Sequence, residues 1–446
     1  MTRRAARAVR SSIGSIAEPR RSRAQLIVCV LLAASIVPTF AIPSARGAQA
    51  GVNIDPSPAA AMDTLGTGAR WARAFMWWPA LEPTPGTLDE EALQGYRRVA
   101  ATLTSHGVHV MWVIVGSPGW ASVNMSPGAP PGDPVAYARF VAAVAQRMGS
   151  TVAAYEIWNE EDLPLFWGGP ADAARYVRLL AAVYPAVKAV APAATVIFGG
   201  LAGNDYAYLE RAYAAGARGL FDAVAVHTDI PCELRRPGRF IRDPNGRISR
   251  WSFLGYREVR RTMLDHDDDK PLFMTELGWA VSDAPCLNGI WTNRKPAGVS
   301  EAKQAADLAD AYACLAEDSY VRAGLWFRLD EPAVDDPATG YGLLRADGSQ
   351  RPAWPAFRAA AAGAARRSCA EHYVGPRVHV RAHRDRRSGA LVVSAHIASD
   401  LALVRATVIV DRRRLRTLLR PPRSLTVRLG PRTVGAGRHV VTIASL

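Results

Sequence analysis

The sequence predicts an α/β protein, a (β/α)8 TIM barrel followed by a small C-terminal β-sandwich. Three observations carry that expectation. Short apolar runs alternate with longer amphipathic stretches in eight units over about 310 residues, which favours a closed barrel over an open sheet. Several runs, such as Val110 to Val115, are continuously apolar, as expected where side chains cover both sheet faces. After Ala370 the texture changes to short strand-like runs with turns at 387–389 and 421–422.

In chain order, the expected barrel strands are 51–55, 70–77, 108–116, 153–159, 195–200, 221–227, 271–276 and 323–328. Helical stretches lie at 89–105, 134–148, 171–190 and 300–316, and 352–365 closes the set. Their starts are marked. Asp133-Pro134 and Gly169-Pro170 put proline at or near a first turn, where its missing N–H costs nothing. Ser300 is placed as an N-cap. No Gly-x-Gly-x-x-Gly follows the first strand, so dinucleotide binding finds no support. The barrel is expected over 51–370 and a basic, immunoglobulin-like sandwich over 371–446, with strands at 378–382, 390–397, 401–410, 424–429 and 438–443. No tryptophan follows Trp354, so a structural role suits this module better than carbohydrate binding.

The chain has 446 residues, 49% of them hydrophobic, with 12 Trp, which is enough for a large core and excludes general disorder. Residues 1–50 read as a signal peptide: basic through Arg20, Arg21 and Arg23, apolar from Leu26 to Ile42, and closing on Ala48-Gln49-Ala50. The protein is therefore expected to be secreted or associated with the cell surface. Cys29 lies in that segment. The remaining four, Cys232, Cys286, Cys314 and Cys369, are an even, widely spaced set that reads as two disulfides in an exported chain. Cys232 lies just past strand six and Cys286 just past strand seven. Cys314 sits on the seventh helix and Cys369 after the eighth, so the layout pairs 232 with 286 and 314 with 369.

The net charge of +14 is unevenly held. Residues 1–50 carry eight Arg against one Glu and residues 374–446 fifteen Arg against three Asp, which leaves the stretch between them net negative. The basic tail could meet an anionic wall polymer or membrane surface. No groove of alternating basic and aromatic residues suggests nucleic acid. The cysteine spacing does not suit zinc, no clustered ligand set is evident, and neither metal nor cofactor is expected. A monomer is expected.

Chemistry in a barrel belongs at the C-terminal strand ends. Strand four ends in Tyr155-Glu156-Ile157-Trp158-Asn159-Glu160-Glu161-Asp162, and strand seven in Thr275-Glu276-Leu277-Gly278-Trp279. Two apolar strands each deliver a carboxylate at the mouth, as cleavage of a glycosidic bond requires: one carboxyl to protonate the leaving oxygen, the other to attack or to activate water. Trp77, Trp120, Trp279 and Trp326 also lie near strand ends, where flat rings can stack on the C–H faces of sugars.

The Trp158-Asn159-Glu160 step and the Thr275–Trp279 run resemble clan A of the glycoside hydrolases. Within it they are nearest to families 39 and 5, especially bacterial enzymes acting on exopolysaccharides. The resemblance covers about residues 51–365. It implies a retaining hydrolase of β-linked poly- or oligosaccharide, with Glu160 as general acid/base and Glu276 as nucleophile. It further implies that Asn159 binds the sugar 2-OH, that Arg73 lies beside the nucleophile, that His227 closes strand six, and that Trp326 lies under the cleaved sugar. Glu156 and Glu161 are rival carboxylates, ranked lower because Glu160 directly follows Asn159. One departure stands out: His227-Thr228-Asp229 lacks the aromatic that relatives commonly place after this histidine, so either the hydroxyl that orients the nucleophile comes from elsewhere or a loop is rearranged. A transglycosylase would share all these residues. A non-catalytic glycan-binding wall protein is the other alternative.

Overall fold

The computed structural model describes residues 47–445 except 125–127, 230–231, 233–234, 244, 288–291, 332–338, 364–367, 375–376, 399–404, 420–423 and 436–439. Residues 1–46, which hold most of the expected signal peptide, lie outside the described residues. Eight parallel strands close a barrel: β1 (Gln49–Asn53), β2 (Trp71–Trp77), β3 (His109–Val115), β4 (Ala154–Asn159), β5 (Thr195–Leu201), β6 (Ala223–His227), β7 (Leu272–Leu277) and β8 (Val321–Trp326). Strand β1 begins two residues before the expected start. Gln49 and Ala50 pair with Ala323 and Gly324 of β8, so the expected cleavage point before Gly51 falls inside a barrel strand.

The expected helices are present, and their caps explain where they start. Asp133 accepts the Val135 N–H ahead of Pro134–Met148, and Ser300 accepts that of Lys303 ahead of Glu301–Leu315. Pro58–Thr67, Tyr206–Ala214 and Tyr256–Asp265 add further helices around the strands. The period of two along each strand separates two apolar layers. Outward residues such as Ile114, Ile157, Val196 and Met274 pack in the large core that includes the helices. Inward ones, among them Trp71, Met111, Ile197, Phe273 and Leu325, fill the bottom of the barrel. That plug leaves the upper lumen to polar side chains.

Beyond the barrel, two three-stranded antiparallel sheets follow: Arg377–Arg384, Leu391–Ala398 and Ser424–Leu429 in one, and Arg413–Leu419, Arg405–Val410 and Val441–Ser445 in the other. Val393 and Ile397, Val408, and Val427 share one core, which makes this unit a β-sandwich. Arg413–Leu419 was not expected, because its arginines hide the alternation. It follows a tight hairpin at Asp411 and Arg412, both with positive φ, as a two-residue turn demands. The expected strand 401–410 begins at Arg405 and that at 438–443 appears as Val441–Ser445, residues 401–404 and 438–439 being outside the described residues. A short parallel pairing of Arg239–Phe240 with His372–Tyr373 ties the long loop after β6 to the segment leaving the barrel.

Both expected disulfides are formed, Cys232–Cys286 and Cys314–Cys369. The second spans a sequence separation of 55, and closing a loop of that size removes about 4 kcal/mol of unfolded-chain entropy at most. Replacing both Cys314 and Cys369 by serine should therefore lower stability by about 2–4 kcal/mol, read from chemical unfolding. An unchanged midpoint would show that the helix and linker are held by packing alone.

Candidate active site

The upper lumen is built by strands that break their own alternation. On β4, Glu156 points inward and Ile157 outward, so Trp158 should point inward. Trp158 instead has φ 73°, a left-handed value uncommon for an aromatic residue. Its ring turns out between Tyr137 and Trp167, with the indole N–H on the Phe166 carbonyl at 2.8 Å. Asn159 thereby turns inward. Glu160 is also left-handed, at φ 47°. Two such residues in succession at a strand end are backbone strain of the kind that accumulates at functional sites. Strand β7 has a register irregularity between Met274 and Leu277, and both Thr275 and Glu276 reach the lumen.

Arg73, on the inner face of β2, is the hub. It has no exposed surface, and it makes hydrogen bonds to three other strands. Nε and Nη2 donate to the two oxygens of Glu156 at 2.8 and 3.1 Å. Nη1 donates to Asn53 Oδ1 at 2.8 Å and Glu276 Oε1 at 2.5 Å, and Nη2 to Asn159 Oδ1 at 3.0 Å. Burial opposes the guanidinium charge, and Glu156 and Glu276 more than offset it. Burial alone would raise Glu156. Arg73, aided by His227, holds it below the usual carboxylate value. Glu156, a rival at the sequence level, is thus the fully covered counter-ion. Asn53 ties β1 to the same hub, its amide donating to the Thr275 carbonyl at 2.9 Å and the Trp326 carbonyl at 3.3 Å.

His227 stands between the carboxylates. Its Nδ1 is 2.9 Å from Glu160 Oε1 and 3.6 Å from Glu276 Oε2, and its Nε2 is 3.8 Å from Glu156. Burial disfavours its charge, but Glu276, Glu156 and Glu160 together push it well above the usual histidine value. Room for the ring comes from Gly200, where a Cβ would stand 1.9 Å from Nε2. One atom each from Glu160, His227 and Glu276 lie within 4.8 Å of one another, close enough to share a cation. The same three side chains are joined without an ion, because His227 Nδ1 bonds Glu160 and lies beside Glu276.

Two groups not anticipated as site residues adjoin this triad. Asp229 is half-buried, with its carboxyl withdrawn from water. Burial first, then the charges of Glu276 and Glu160, push it up to about 8 against the opposing effect of His227. Tyr341, from the loop after β8, donates its hydroxyl to the Asp229 carbonyl at 2.5 Å. Burial and then the charges of Asp229 and Glu276 push this phenol well above its usual value. An aromatic hydroxyl thus reaches the neighbourhood from a different loop than the one after β6. Glu161, the other rival, is wholly buried against Gly199 with both oxygens unpartnered among the described residues. Burial, and then Asp162, raise it well above the usual range.

The predicted residues thus divide. Glu160, Glu276, Arg73, Asn159 and His227 come together. Trp77 and Trp120 sit on the rim at 46% and 38% exposure, with the Trp120 indole N–H on the Glu82 carbonyl at 3.1 Å. Trp279 and Trp326 do not present a face to the lumen mouth. Trp326 is wholly buried in the outer core, its N–H on the Tyr341 carbonyl and its ring stacked on Trp279 at 6.2 Å. The reason is the phase of β8: Ala323 and Leu325 point inward, so Trp326 points outward. Trp279 is spent in the same stack, with its N–H on the Arg235 carbonyl at 3.0 Å. The expectation that Trp326 lies under a sugar is therefore corrected. Phe327, half-buried against Tyr341, is the next residue along and the one nearer the opening.

No protein-family model matches the chain, and no curated protein sequence matches it. Solved structures do. A family 39 glycoside hydrolase from Bacteroides cellulosilyticus superposes with a TM-score of 0.56 at 19% identity, covering 87% of this chain and 80% of that one. A GH39 enzyme from Xanthomonas axonopodis pv. citri gives a TM-score of 0.51 at 15% identity over 86% and 92%. A GH5_18 protein from Streptomyces cattleya in complex with GlcNAc gives 0.51 at 15% over 73% and 82%. At such identities the likeness establishes the shared barrel architecture.

The hub and the triad make separable predictions. Arg73→Met leaves Glu156 buried without its partner and should cost about 3–5 kcal/mol in chemical unfolding, with much of it recovered in Arg73→Met/Glu156→Leu. For Asp229, a folded value near 8 against an unfolded value near 4 means stability is lost as pH rises between them. Asp229→Asn should therefore unfold at a higher temperature relative to wild type at pH 9 than at pH 4. A constant difference across that range would show that Asp229 does not titrate this way.

Proposed function

We propose that the protein is a retaining glycoside hydrolase that cleaves β-linked poly- or oligosaccharide by double displacement. The observation that carries this reading is the Glu160–Glu276 pair, facing each other across the lumen with an oxygen of each within 4.8 Å. Retaining enzymes keep their carboxyls about 5–5.5 Å apart, whereas inverting enzymes need about 6.5–9.5 Å to admit a water. One imidazole nitrogen 2.9 Å from Glu160 and 3.6 Å from Glu276 supports the closer arrangement. The surroundings of the two carboxylates differ in the way the chemistry asks.

Glu276 is nearly covered, and one of its oxygens is held by Arg73 at 2.5 Å. Its other oxygen is free of that contact and attacks the anomeric carbon, forming a glycosyl-enzyme ester as the glycosidic C–O bond breaks. Glu160 is the more open of the two, with 15% of its side chain exposed, and sits on a strained turn. It gives its proton to the leaving oxygen. It then takes a proton from the water that attacks the anomeric carbon and releases Glu276. Asn159, aligned by Arg73, offers its amide N–H to the hydroxyl beside the reacting carbon. His227 bonds Glu160 and lies near Glu276, and so fixes their separation. The fold neighbours support this reading. One is described as a β-xylosidase from Caulobacter crescentus and another as an exo-β-1,4-mannosidase. The two disulfides support an exported protein, and no described helix is long and apolar enough to cross a membrane.

The test is stereochemical. On 4-nitrophenyl β-xyloside, β-glucoside and β-mannoside, the first product followed by proton NMR should be the β anomer. Glu276→Gln should abolish turnover. Glu160→Ala should be slowed by about 10²–10⁴-fold and be rescued by azide with formation of the β-glycosyl azide. First release of the α anomer, or Glu276→Gln as active as wild type, would overturn the mechanism.

A further inference from the structure

The inner face of β2 continues above Arg73. By the period of two, Trp71, Arg73, Phe75 and Trp77 share this face. Trp71 belongs to the barrel plug and Arg73 to the hub. Phe75 lies next, its ring centroid 5.1 Å from the Arg73 guanidinium carbon, and is half-buried. Trp77 follows, its ring 6.1 Å from that of Phe75 with the planes only 26° apart, and it is 46% exposed. The two rings make an aromatic strip that starts beside the residue holding Glu276 and rises to open solvent at the barrel mouth. Most large aromatics of this barrel are buried by packing, including Trp78, Trp112, Trp158 and Trp326. Trp77 is nearly half open beside the wholly covered Trp78, and its stacking on Phe75 places that open indole in line with the reaction centre.

The chemistry of such a strip is specific. It offers flat, apolar faces without a charged group of its own, and the cation beneath Phe75 is already engaged by two carboxylates. A sugar ring has flat C–H faces flanked by hydroxyls, and stacks on such surfaces while its hydroxyls stay in water. We propose that Phe75 and Trp77 form a subsite for a further sugar unit, next to the one that is cleaved, so that the ligand is a chain and not a single glycoside. This rests on the hydrolase reading for the location of the reacting sugar, but the binding surface itself does not depend on catalysis.

The experiment therefore measures binding as well as turnover. Calorimetric titration of full-length Glu276→Gln with β-1,4-linked xylo-, manno- and gluco-hexaose, and with the corresponding methyl β-monoglycosides, should show one hexaose binding at least about tenfold more tightly than its monoglycoside. Adding Trp77→Ala should weaken that hexaose about tenfold, and Trp77→Phe, which keeps a ring, should restore most of it. Hexaose binding that is unchanged by Trp77→Ala, a hexaose no tighter than its monoglycoside, or no binding by any hexaose would overturn the proposal. Trp77-dependent hexaose binding in a protein whose wild type hydrolyses none of these compounds would instead remove the hydrolase reading and leave the subsite standing.

Discussion

A guanidinium placed where water cannot reach it constrains everything around it. An unpaired charge in such a position would not be tolerated, so the Arg73 side chain demands acceptors, and the fold supplies them from β1, β4 and β7. Because each partner comes from a different strand, the ion pairs also fix register. A one-residue slip of β4 would exchange Glu156 for an apolar neighbour and leave the cation alone. The breaks in alternation at Trp158 and near Glu276 are the local adjustments that bring Asn159 and Glu276 to the same cation.

The hub also separates roles among carboxylates that look alike in sequence. Glu156 gives both oxygens to Arg73 and has no exposed surface, so it is fully used in neutralising the hub. Glu276 gives only one oxygen to Arg73 and keeps the other toward the lumen. Among the described residues, Glu160 is linked to the network through His227 and not through Arg73. Glu161 turns away altogether, into a buried position where burial opposes its charge. Neighbouring acids along one strand end therefore have three different environments: Glu156 by the regular alternation of the strand, Glu160 and Glu161 beyond the left-handed backbone at residues 158 and 160.

Much of this was legible in the sequence, and the part that was not has a physical cause. Eight apolar runs, the two acid-bearing strand ends and the two cysteine pairs could be read because each is a departure from its surroundings: polar within apolar, or an even, widely spaced set of cysteines. Arg73, Asn159 and His227 came from the resemblance of the two acid-bearing strand ends to clan A and not from any local pattern of their own. The phase of β8 was not legible, since Val-Arg-Ala-Gly-Leu-Trp-Phe gives no clear alternation, and Trp326 was assigned to the wrong side of the sheet. Glu156 was read as a rival because a sequence does not show that its partner will be entirely buried. Asp229 and Tyr341 are brought together by loop conformations spaced far apart along the chain, for which no local pattern exists.

The seam between β1 and β8 has a consequence for how the molecule comes to be. Residues 49–52 find their second neighbour only at residues 323–326, so the barrel cannot close until most of the chain is available. Contacts of such large sequence separation form late and slowly. Until then the edge of β1 is an unpaired template for strand addition. A chain crossing a membrane from its N-terminus would expose that edge throughout its passage. Any chain that emerges N-terminus first carries that edge unpaired until β8 arrives.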